Sequence, residues 1–276
     1  MKFIKMHGLG NDYVYVNGFT EHVPDPARLS QLISDRHQGV GSDGLILILP
    51  SRTADVRMEM YNADGSHSEM CGNGIRCVAK YALDRGLVRD PVFRIETDAG
   101  VKTVECRVVE GKVRSVRVDM GAPGLHPRAI PCTIAGERIV EHPLVVDGQR
   151  WNITCVSMGN PHAVIFVPDV QSVALAGIGP RIEHAPEFPE RVNVHVAQIV
   201  STQHVHMRTW ERGSGLTQAC GTGACAVAVA AVLARSAQRR LTVSLPGGDL
   251  DIEWAADNHV FKTGPAVEVF DGDWPD

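Results

Sequence analysis

The chain has 276 residues, of which 44% are apolar, 5% aromatic and 21% charged, and its formal net charge is −5 at pH 7. This length accommodates two modest domains, and the acidic balance provides none of the basic surface typical of proteins that bind nucleic acids or anionic membranes. No apolar run reaches the ~18 residues of a membrane span, and the first residues lack the apolar segment of a signal peptide. We therefore expect a cytoplasmic protein whose seven cysteines are reduced thiols.

Strand patterns dominate the first half of the chain. Apolar or alternating runs predict strands at residues 44–49, 55–61, 93–96, 101–109 and 113–119. Amphipathic patterns predict helices at residues 27–36 and 75–85. Glu110-Gly111 is a turn signal between two strands, and Gly86 is a favourable C-cap for the second helix.

The second half repeats this arrangement. The predicted strands span residues 163–167, 192–199, 204–210, 241–245 and 250–254. Residues 224–234 are apolar at every position, which predicts a helix buried on all sides but too short to cross a membrane. A helix wrapped by antiparallel strands satisfies this pattern, so we predict an α+β fold of two such halves. The predicted domains are residues 1–119 with 265–276, and residues 120–264.

The two halves carry the same short motif. Cys71-Gly72-Asn73-Gly74 and Cys220-Gly221-Thr222-Gly223 each precede a predicted helix, 149 residues apart (220 − 71). Two further pairs share this offset: Asn11 with Asn160, and Asn62 with Glu211. A duplicated half with a cysteine at each equivalent helix start predicts two thiols that face one substrate.

A cysteine before a helix lies where unpaired backbone N–H groups and the positive end of the dipole converge, so we expect lowered thiol pKa values for Cys71 and Cys220. The adjacent glycines allow a ligand to approach the backbone, whose N–H groups bind carboxylates. Two such thiols supply the opposed acid and base that inversion at a carbon centre requires.

Two other motifs suggest different chemistry. His204 and His206 lie on one face of a strand, but no third ligand at a familiar spacing accompanies them, so we predict no metal. Residues 39–44 match Gly-x-Gly-x-x-Gly, the phosphate-binding pattern of dinucleotide folds. That pattern requires a strand before it and a helix after it, and here the order is reversed, so we interpret it as a turn-rich loop.

Polar residues near strand ends complete the candidate site. Asn11, Asn62, Asn160 and Asn193 carry amides, which both donate and accept hydrogen bonds and can hold an ammonium or a carboxylate. Arg212 is able to bind a carboxylate through two parallel hydrogen bonds. His162 and Glu211 are candidates to tune a thiol or relay its proton.

At these residues the chain resembles the diaminopimelate epimerases over essentially its whole length. The matching segments are residues 5–12, 61–66, 71–74, 157–162, 191–193, 211–213, 219–225, 245–248 and 263–266. The resemblance implies a homodimeric, cofactor-independent enzyme that converts LL-2,6-diaminopimelate to the meso form, for lysine and peptidoglycan-precursor synthesis. It also implies two pseudo-symmetric domains, each a mainly antiparallel sheet rolled around a central helix.

The resemblance assigns a role to each matching residue. Cys71 and Cys220 are the two bases, with His162 and Glu211 as their polar neighbours. The residues implied to bind substrate are Asn11, Asn62, Gly72, Asn73, Asn160, Asn193, Glu211, Arg212, Gly221 and Thr222. Phe270 stands where some members carry a tyrosine of the dimer interface, and Gly44 stands where many carry glutamine, so a side-chain contact to substrate there is lost or replaced.

Two alternatives remain open from the sequence. One is a cofactor-independent racemase of the same superfamily that acts on another amino acid, such as histidine or hydroxyproline. The other is a thiol redox protein that uses Cys71 and Cys220. The polar set that includes Asn62 and Arg212 favours a substrate with two amino acid ends.

Overall fold

Residues 1–119 and 263–275 form one unit (unit 1) of the computed structural model, and residues 120–262 form the second (unit 2). The structure describes residues 1–275. Among them, no helix is both long enough and apolar enough to cross a bilayer. Cys71 belongs to unit 1, and Cys220 to unit 2.

Unit 1 is built from strands with two helices. Its elements are β1 (Lys2–Gly8), β2 (Asn11–Asn17), α1 (Pro26–Ser34), β3 (Gly44–Leu49), β4 (Val56–Asn62), β5 (His67–Ser68), α2 (Gly74–Asp84), β6 (Val92–Thr97), β7 (Gly100–Val109), β8 (Lys112–Asp119) and β18 (Val267–Asp273). The pairs β2–β3 and β4–β6 are parallel, whereas β18–β1–β2, β3–β4–β5 and β6–β7–β8 are antiparallel. Helix α2 packs against β1, β2, β4, β7 and β8, so strands surround it.

Unit 2 repeats this plan around a second helix. Its elements are a 3₁₀ turn (Pro127–Ala129), β9 (His142–Val146), β10 (Gln149–Ser157), β11 (Pro161–Phe166), α3 (Leu175–Glu183), β12 (Asn193–Ser201), β13 (His204–Glu211), β14 (Gly215–Thr217), α4 (Gly221–Leu233), β15 (Arg240–Leu245) and β16 (Gly248–Trp254), and β17 (Val260–Pro265) contains the boundary between residues 262 and 263. The pairs β11–β12 and β13–β15 are parallel, whereas β9–β10–β11, β12–β13–β14 and β15–β16 are antiparallel. Helix α4 is buried over residues 223–231 and packs against β10–β13, β15 and β16.

The strand registers of the two units are the same at an offset of 149 residues. Val14 of β2 pairs with Leu45 of β3, and their counterparts Ala163 and Val194 pair in unit 2. The next strand continues this correspondence. Ile46 pairs with Met60 in unit 1, and His195 pairs with Thr209 in unit 2. The α+β fold of two sheet-wrapped helices is therefore the fold that the sequence predicts.

Three of the four helices are predicted to within three residues of their observed ends, and one was missed. The missed helix, α3, contains Gly177, Gly179 and Pro180, residues that disfavour a helical interior. The hairpin signal at Glu110-Gly111 is confirmed, because both residues have positive φ (52° and 73°), as the tight turn between two antiparallel strands requires. Residues 39–43 lie in a loop between α1 and β3, and Gly44 begins β3, so the predicted loop is observed for all of the segment but its last residue.

Candidate functional site

The structure places both motif cysteines just ahead of the buried helices, with Cys220 adjoining α4 and Cys71 separated from α2 by two residues. In unit 1 the backbone N–H of Gly74 donates to Sγ of Cys71 at 3.2 Å, and the N–H of Ile75 donates to the Cys71 carbonyl at 3.0 Å. In unit 2 the N–H of Gly223 is likewise directed at Cys220 Sγ. The N–H of Ala224 donates to the Cys220 carbonyl at 2.9 Å. The two motifs thus have the same local backbone geometry.

Hydrogen bonds of unit 1 connect Cys71 to a charged pair. The thiol of Cys71 donates to Oδ1 of Asn11 at 3.3 Å, and Nδ2 of Asn11 donates to Oδ2 of Asp43 at 2.7 Å. Arg36 binds the other oxygen of Asp43 at 3.0 Å. Because Asp43 takes the Asn11 N–H, the Asn11 carbonyl must face the sulfur. Asp43 lies in the glycine-rich loop, and sequence reasoning did not select it.

Tyr13 is a second residue that sequence reasoning missed. Its side chain is 4% exposed, and its hydroxyl lies beside Asn11 and Cys71. Burial raises the pKa of Tyr13 well above 10, and the adjacent Cys71 and Asp43 reinforce the shift, so the phenol stays protonated. A Cβ built on Gly44 would lie 2.9 Å from the Tyr13 ring. The same Cβ would lie 2.1 Å from the Tyr61 carbonyl oxygen, so the backbone of β4 and the Tyr13 ring both exclude a side chain at position 44.

The remaining candidates of unit 1 are Asn62, Gly72 and Asn73. Nδ2 of Asn62 donates to Ser66 Oγ at 3.0 Å, which orients its amide at the end of β4. Asn73 is buried, and its Oδ1 accepts from Nη1 of Arg76 at 3.2 Å. The same nitrogen donates to the Gly72 carbonyl at 3.1 Å. Arg76 thus fixes the loop that carries the motif.

Cys220 in unit 2 lies beside a carboxylate. Its side chain is 3% exposed, next to Glu211, whose Oε1 accepts from Thr217 Oγ1 at 2.6 Å. Burial raises the pKa of Cys220 well above 9, and the charge and hydrogen bonding of Glu211 raise it further. The Gly223 N–H and the Thr222 hydroxyl, 3.7 Å from the sulfur, only partly offset this. The predicted lowering of this pKa is therefore wrong, because desolvation and a like charge outweigh the helix start.

A buried hydrogen-bonded chain connects four side chains of unit 2. Nε2 of His162 lies 2.8 Å from Oδ1 of Asn160, and Nδ1 of His162 lies 2.8 Å from Nε2 of His195. Nδ1 of His195 lies 2.9 Å from Oγ1 of Thr209. Sequence reasoning did not select His195 or Thr209. We name this the Asn160–Thr209 chain.

Both imidazoles of this chain are neutral. His162 and His195 are each 0% exposed. Burial lowers the pKa of His162 well below 6.5, and the neighbouring His195 and Arg212 lower it further. Burial alone lowers the pKa of His195 to about 3.

Asn193 and Arg212 lie near this chain, on β12 and after β13. Asn193 donates from Nδ2 to the Pro161 carbonyl at 2.8 Å and accepts the Arg212 N–H at 2.9 Å. Arg212 is exposed, and its Nη1 donates to the Glu190 carbonyl at 2.9 Å. The Asn193 amide is thus largely used by the protein, whereas most of the Arg212 guanidinium remains available to an anion.

The pair His204 and His206 lies elsewhere on β13. Their rings are 4.7 Å apart in an edge-to-face arrangement, and His204 Nε2 is 2.8 Å from Ser244 Oγ. Within residues 1–275, no three His, Cys, Asp or Glu side chains are grouped in a way that would hold a metal ion.

The predicted site residues are divided between the two units. Unit 1 carries Asn11, Asn62, Cys71, Gly72 and Asn73, and unit 2 carries Asn160, His162, Asn193, Glu211, Arg212, Cys220, Gly221 and Thr222.

Comparison with known proteins reveals close relatives. The chain matches the family described as diaminopimelate epimerase over residues 3–125 and 154–269. A protein of Acetivibrio thermocellus named diaminopimelate epimerase is 53% identical over 274 residues, covering 99% of this chain and 98% of that protein. A protein of Desulfovibrio desulfuricans with the same name is 55% identical over 281 residues, with 99% and 98% covered.

Solved structures with little sequence similarity share the fold. A phenazine biosynthesis protein of the PhzF family from Bacillus anthracis superposes with a TM-score of 0.71 at 16% identity, covering 99% of this chain and 98% of that one. A probable proline racemase from Agrobacterium radiobacter gives 0.70 at 17% identity, with 99% and 92% covered. At such identities these likenesses concern the fold alone.

Proposed function

Since the chain belongs to the diaminopimelate epimerase family, we propose that it interconverts LL- and meso-2,6-diaminopimelate, a step of lysine biosynthesis, with Cys71 and Cys220 as its two bases. Full-length identity above 50% to two diaminopimelate epimerases is the observation that carries this proposal. The duplicated cysteine motifs, equal in backbone geometry, support the two-base part. No cofactor is needed in this scheme, because the two sulfurs supply both the base and the acid.

One thiolate removes the α-proton, and the other thiol protonates the carbanion on the opposite face. The Cα–H is a very weak acid, so the carbanion needs stabilisation of the negative charge that develops on the adjacent carboxylate. In unit 2, we assign the acceptance of the Cys220 proton to the carboxylate of Glu211, because it adjoins that thiol. His162, neutral and joined to Asn160, orients a polar group rather than carrying charge.

The residues proposed to bind substrate form two sets. At the reacting centre, backbone N–H groups of Gly72, Asn73, Gly221 and Thr222 bind the carboxylate, because helix starts attract anions. At the distal centre, Asn62, Asn160, Asn193 and Arg212 bind the second amino acid group, with Asn11 and Glu211 as further contacts. Arg212 supports this assignment, since it is exposed and uses Nη1 alone in a hydrogen bond to the protein.

Incubation of the reduced protein with LL-diaminopimelate in deuterium oxide tests the reaction. We expect conversion to the meso isomer, with deuterium incorporated at one α-carbon and no added cofactor. Cys71→Ala and Cys220→Ala should each abolish turnover, whereas Cys132→Ala, which removes a half-buried thiol of unit 2 outside the motifs, should not. Full epimerisation by either motif variant contradicts the two-base scheme.

A substrate panel separates the two alternatives. Racemisation of histidine or hydroxyproline, without reaction of diaminopimelate, would assign the chain to another racemase activity. Reduction of a disulfide substrate, without solvent deuterium entering any amino acid, would assign it to thiol redox chemistry. We expect neither result.

We further propose that the enzyme is a cytoplasmic homodimer whose domains are residues 1–119 with 265–276, and residues 120–264. Phe270 on β18 supports the dimer, because it is 47% exposed although apolar, and its ring packs edge-to-face on Phe3. The seven cysteines, all within residues 1–275, form no disulfide, which suits a reducing compartment. Sedimentation analysis should detect a dimer that Phe270→Glu weakens, and a wild-type monomer at micromolar concentration contradicts it.

A further inference from the structure

The Asn160–Thr209 chain contains two polar residues, His195 and Thr209, to which the proposed mechanism gives no role. Their side chains are 0% and 2% exposed, and the side-chain hydrogen bonds of both residues go to other members of the Asn160–Thr209 chain. Burying a polar side chain costs free energy unless hydrogen bonds compensate, and an apolar pair of similar size avoids that cost. Their presence therefore needs an explanation.

Unit 1 demonstrates that the fold does not require this polar pair. At the equivalent register it carries Ile46 and Met60, which are 0% and 5% exposed and face each other across the same two kinds of strand. The equivalence extends to the helix start. A Cβ on Gly74 would lie 2.6 Å from Ile46 Cδ1, and a Cβ on Gly223 would lie 2.5 Å from His195 Cε1. The same position is thus apolar in one half and polar in the other.

The hydrogen bonds of the chain run in one direction. Oδ1 of Asn160 only accepts, so His162 must carry its proton on Nε2. A neutral His162 then accepts at Nδ1, which makes Nε2 of His195 the donor. The remaining nitrogen of His195 accepts, and the Thr209 hydroxyl donates to it. Reversing any one bond reverses all of them.

This direction determines which side of the Asn160 amide is exposed to a ligand. With Oδ1 bound to His162, the Nδ2 group lies on the other side of the amide, and within residues 1–275 it donates no hydrogen bond. Asn160 is only half-buried, which leaves room for a ligand to reach this residue. In the reversed chain Asn160 would present its carbonyl instead, which suits an ammonium rather than a carboxylate.

We propose that His195 and Thr209 are positioning residues that hold His162 as its Nε2–H tautomer and thereby make Asn160 a hydrogen-bond donor to a carboxylate of the substrate. The inference rests on the proposed function, since it deepens the role given there to Asn160. The apolar counterparts in unit 1 give no such constraint to Tyr13, which stands at the position equivalent to His162.

The ionisable groups around the pair are few. Within residues 1–275 they are His162 itself, Arg212 and Cys220. The charge of Arg212 acts on His162. A Cβ added to Gly223, which would meet His195, would also lie 3.0 Å from the Cys220 sulfur. Glu211 adjoins Cys220. Neither histidine gains a proton between pH 6 and 9, so the direction of the chain should not change across the working range.

The test combines a graft from unit 1 with a tautomer measurement. His195→Ile together with Thr209→Met installs the pair that unit 1 accommodates, and Thr209→Val removes one hydroxyl alone. His195→Gln keeps an N–H donor for His162. Thr154→Val is the matched control, because Thr154 is a buried threonine of unit 2 that accepts the Glu141 N–H and lies outside the site. Thermal unfolding verifies that each variant is folded.

Two-bond ¹H–¹⁵N spectra of the free protein identify the tautomer of each imidazole. We expect Nε2–H for both His162 and His195 in the wild type and in Thr154→Val. The graft should give His162 a mixture of tautomers, and His195→Gln should restore a single one. An Nδ1–H tautomer of His162 in the wild type, or no change in the graft, would overturn the proposal.

Kinetics with LL-diaminopimelate supply the second readout. Because one hydrogen bond to a charged group is lost, the graft should raise KM about tenfold, with a smaller change in kcat. Thr209→Val should fall between the graft and the wild type, and His195→Gln should stay within about threefold of the wild type. An unchanged KM in the graft contradicts the role of Asn160. A wild type that is inactive on diaminopimelate contradicts the proposed function, while the tautomers still decide the direction of the chain.

Discussion

The two cysteines have the same backbone surroundings and different side-chain surroundings. Cys71 donates to the neutral amide of Asn11, with Tyr13 beside it and apolar Ile46 near its helix start. Cys220 adjoins the carboxylate of Glu211, with His195 near its helix start. The backbone of a duplicated fold thus creates a thiol at a helix start twice, and side chains give each copy its own acid–base behaviour.

The largest expected effect comes from removing the carboxylate that distinguishes unit 2. Glu211→Gln leaves Cys220 without a group to accept its proton, so kcat should fall by about 10²–10³. The alkaline limb of the pH–rate profile should also move to lower pH, because the charge that raises the pKa of Cys220 is gone. Steady-state kinetics from pH 6 to 10 measure both changes.

Glu105→Gln is a suitable control for that variant. Glu105 forms a surface ion pair with Arg117 at 3.7 Å, in unit 1, so its charge is lost without touching either thiol. If Glu211→Gln retains wild-type kcat, the two halves do not differ in the way described.

The second prediction concerns His195, whose counterpart in unit 1 is Ile46, a residue that does not ionise. The pKa of His195 is about 3 in the folded protein and 6.5 when unfolded. A depressed histidine pKa adds stability that is present above pH 6.5 and lost as pH falls toward 3, because only the unfolded state binds the proton there. From pH 6.5 to 5 this loss amounts to about 2 kcal/mol for His195.

Urea unfolding at pH 7.5 and pH 5 measures that loss. The graft His195→Ile with Thr209→Met removes one titrating histidine, so its stability should fall by about 2 kcal/mol less than that of the wild type between these two pH values. Thr154→Val should retain the wild-type pH dependence. An equal pH dependence in the graft would mean that His195 is protonated in the folded protein.

Much of the fold follows from local pattern. The all-apolar residues 224–234 need burial on every side, and alternating strands are the partners that the chain supplies. Helix α3 does not follow, because Gly179 is explained only by a tertiary contact. A Cβ there would lie 2.5 Å from the ring of Trp210, which is distant in sequence. Helix propensity depends on local sequence and therefore does not include the contact with Trp210.

The candidate site divides in the same way. Cys71 and Cys220 are detectable because the chain repeats them. Tyr13, Asp43 and His195 were missed, since their roles depend on side-chain contacts that form only after strands pair. A signal for His195 did exist, because the offset of 149 residues aligns it with an apolar residue, Ile46, of the first half. In a duplicated sequence, a polar residue whose equivalent in the other half is apolar is therefore a candidate for a functional role.

The third prediction compares equivalent glycines. The closest atom to an added Cβ in Gly74→Ala is the flexible end of Ile46, at 2.6 Å, which is able to rotate away, and Cys71 Cβ is farther off at 3.3 Å. This variant should therefore change kcat by less than about threefold. Gly223→Ala meets the rigid ring of His195, held by two hydrogen bonds, and lies 3.0 Å from the Cys220 sulfur. Its kcat should fall about tenfold further.

Gly177→Ala provides the baseline for both glycine variants. It lies inside α3 with no atom within 4 Å of an added Cβ, so it should leave activity unchanged and stabilise the helix by about 0.5–1 kcal/mol. If Gly74→Ala and Gly223→Ala lower kcat equally, the apolar Ile46 and the polar His195 do not differ in their effect on the neighbouring cysteine.

The smallest expected effect concerns the group that orients the Cys71 thiol. Cys71 bonds the Asn11 amide, whereas Cys220 adjoins the Glu211 carboxylate. Asp43→Asn replaces an acceptor-only group with an amide, so the Asn11 amide loses the charge that orients its carbonyl toward the sulfur. We expect kcat to fall about fivefold with little change in KM, because Asn11 then turns part of the time. Asp98→Asn is the control, since Asp98 pairs with Arg57 elsewhere in unit 1. A KM effect without a kcat effect would instead make Asp43 part of substrate binding rather than of the orientation of the Cys71 thiol.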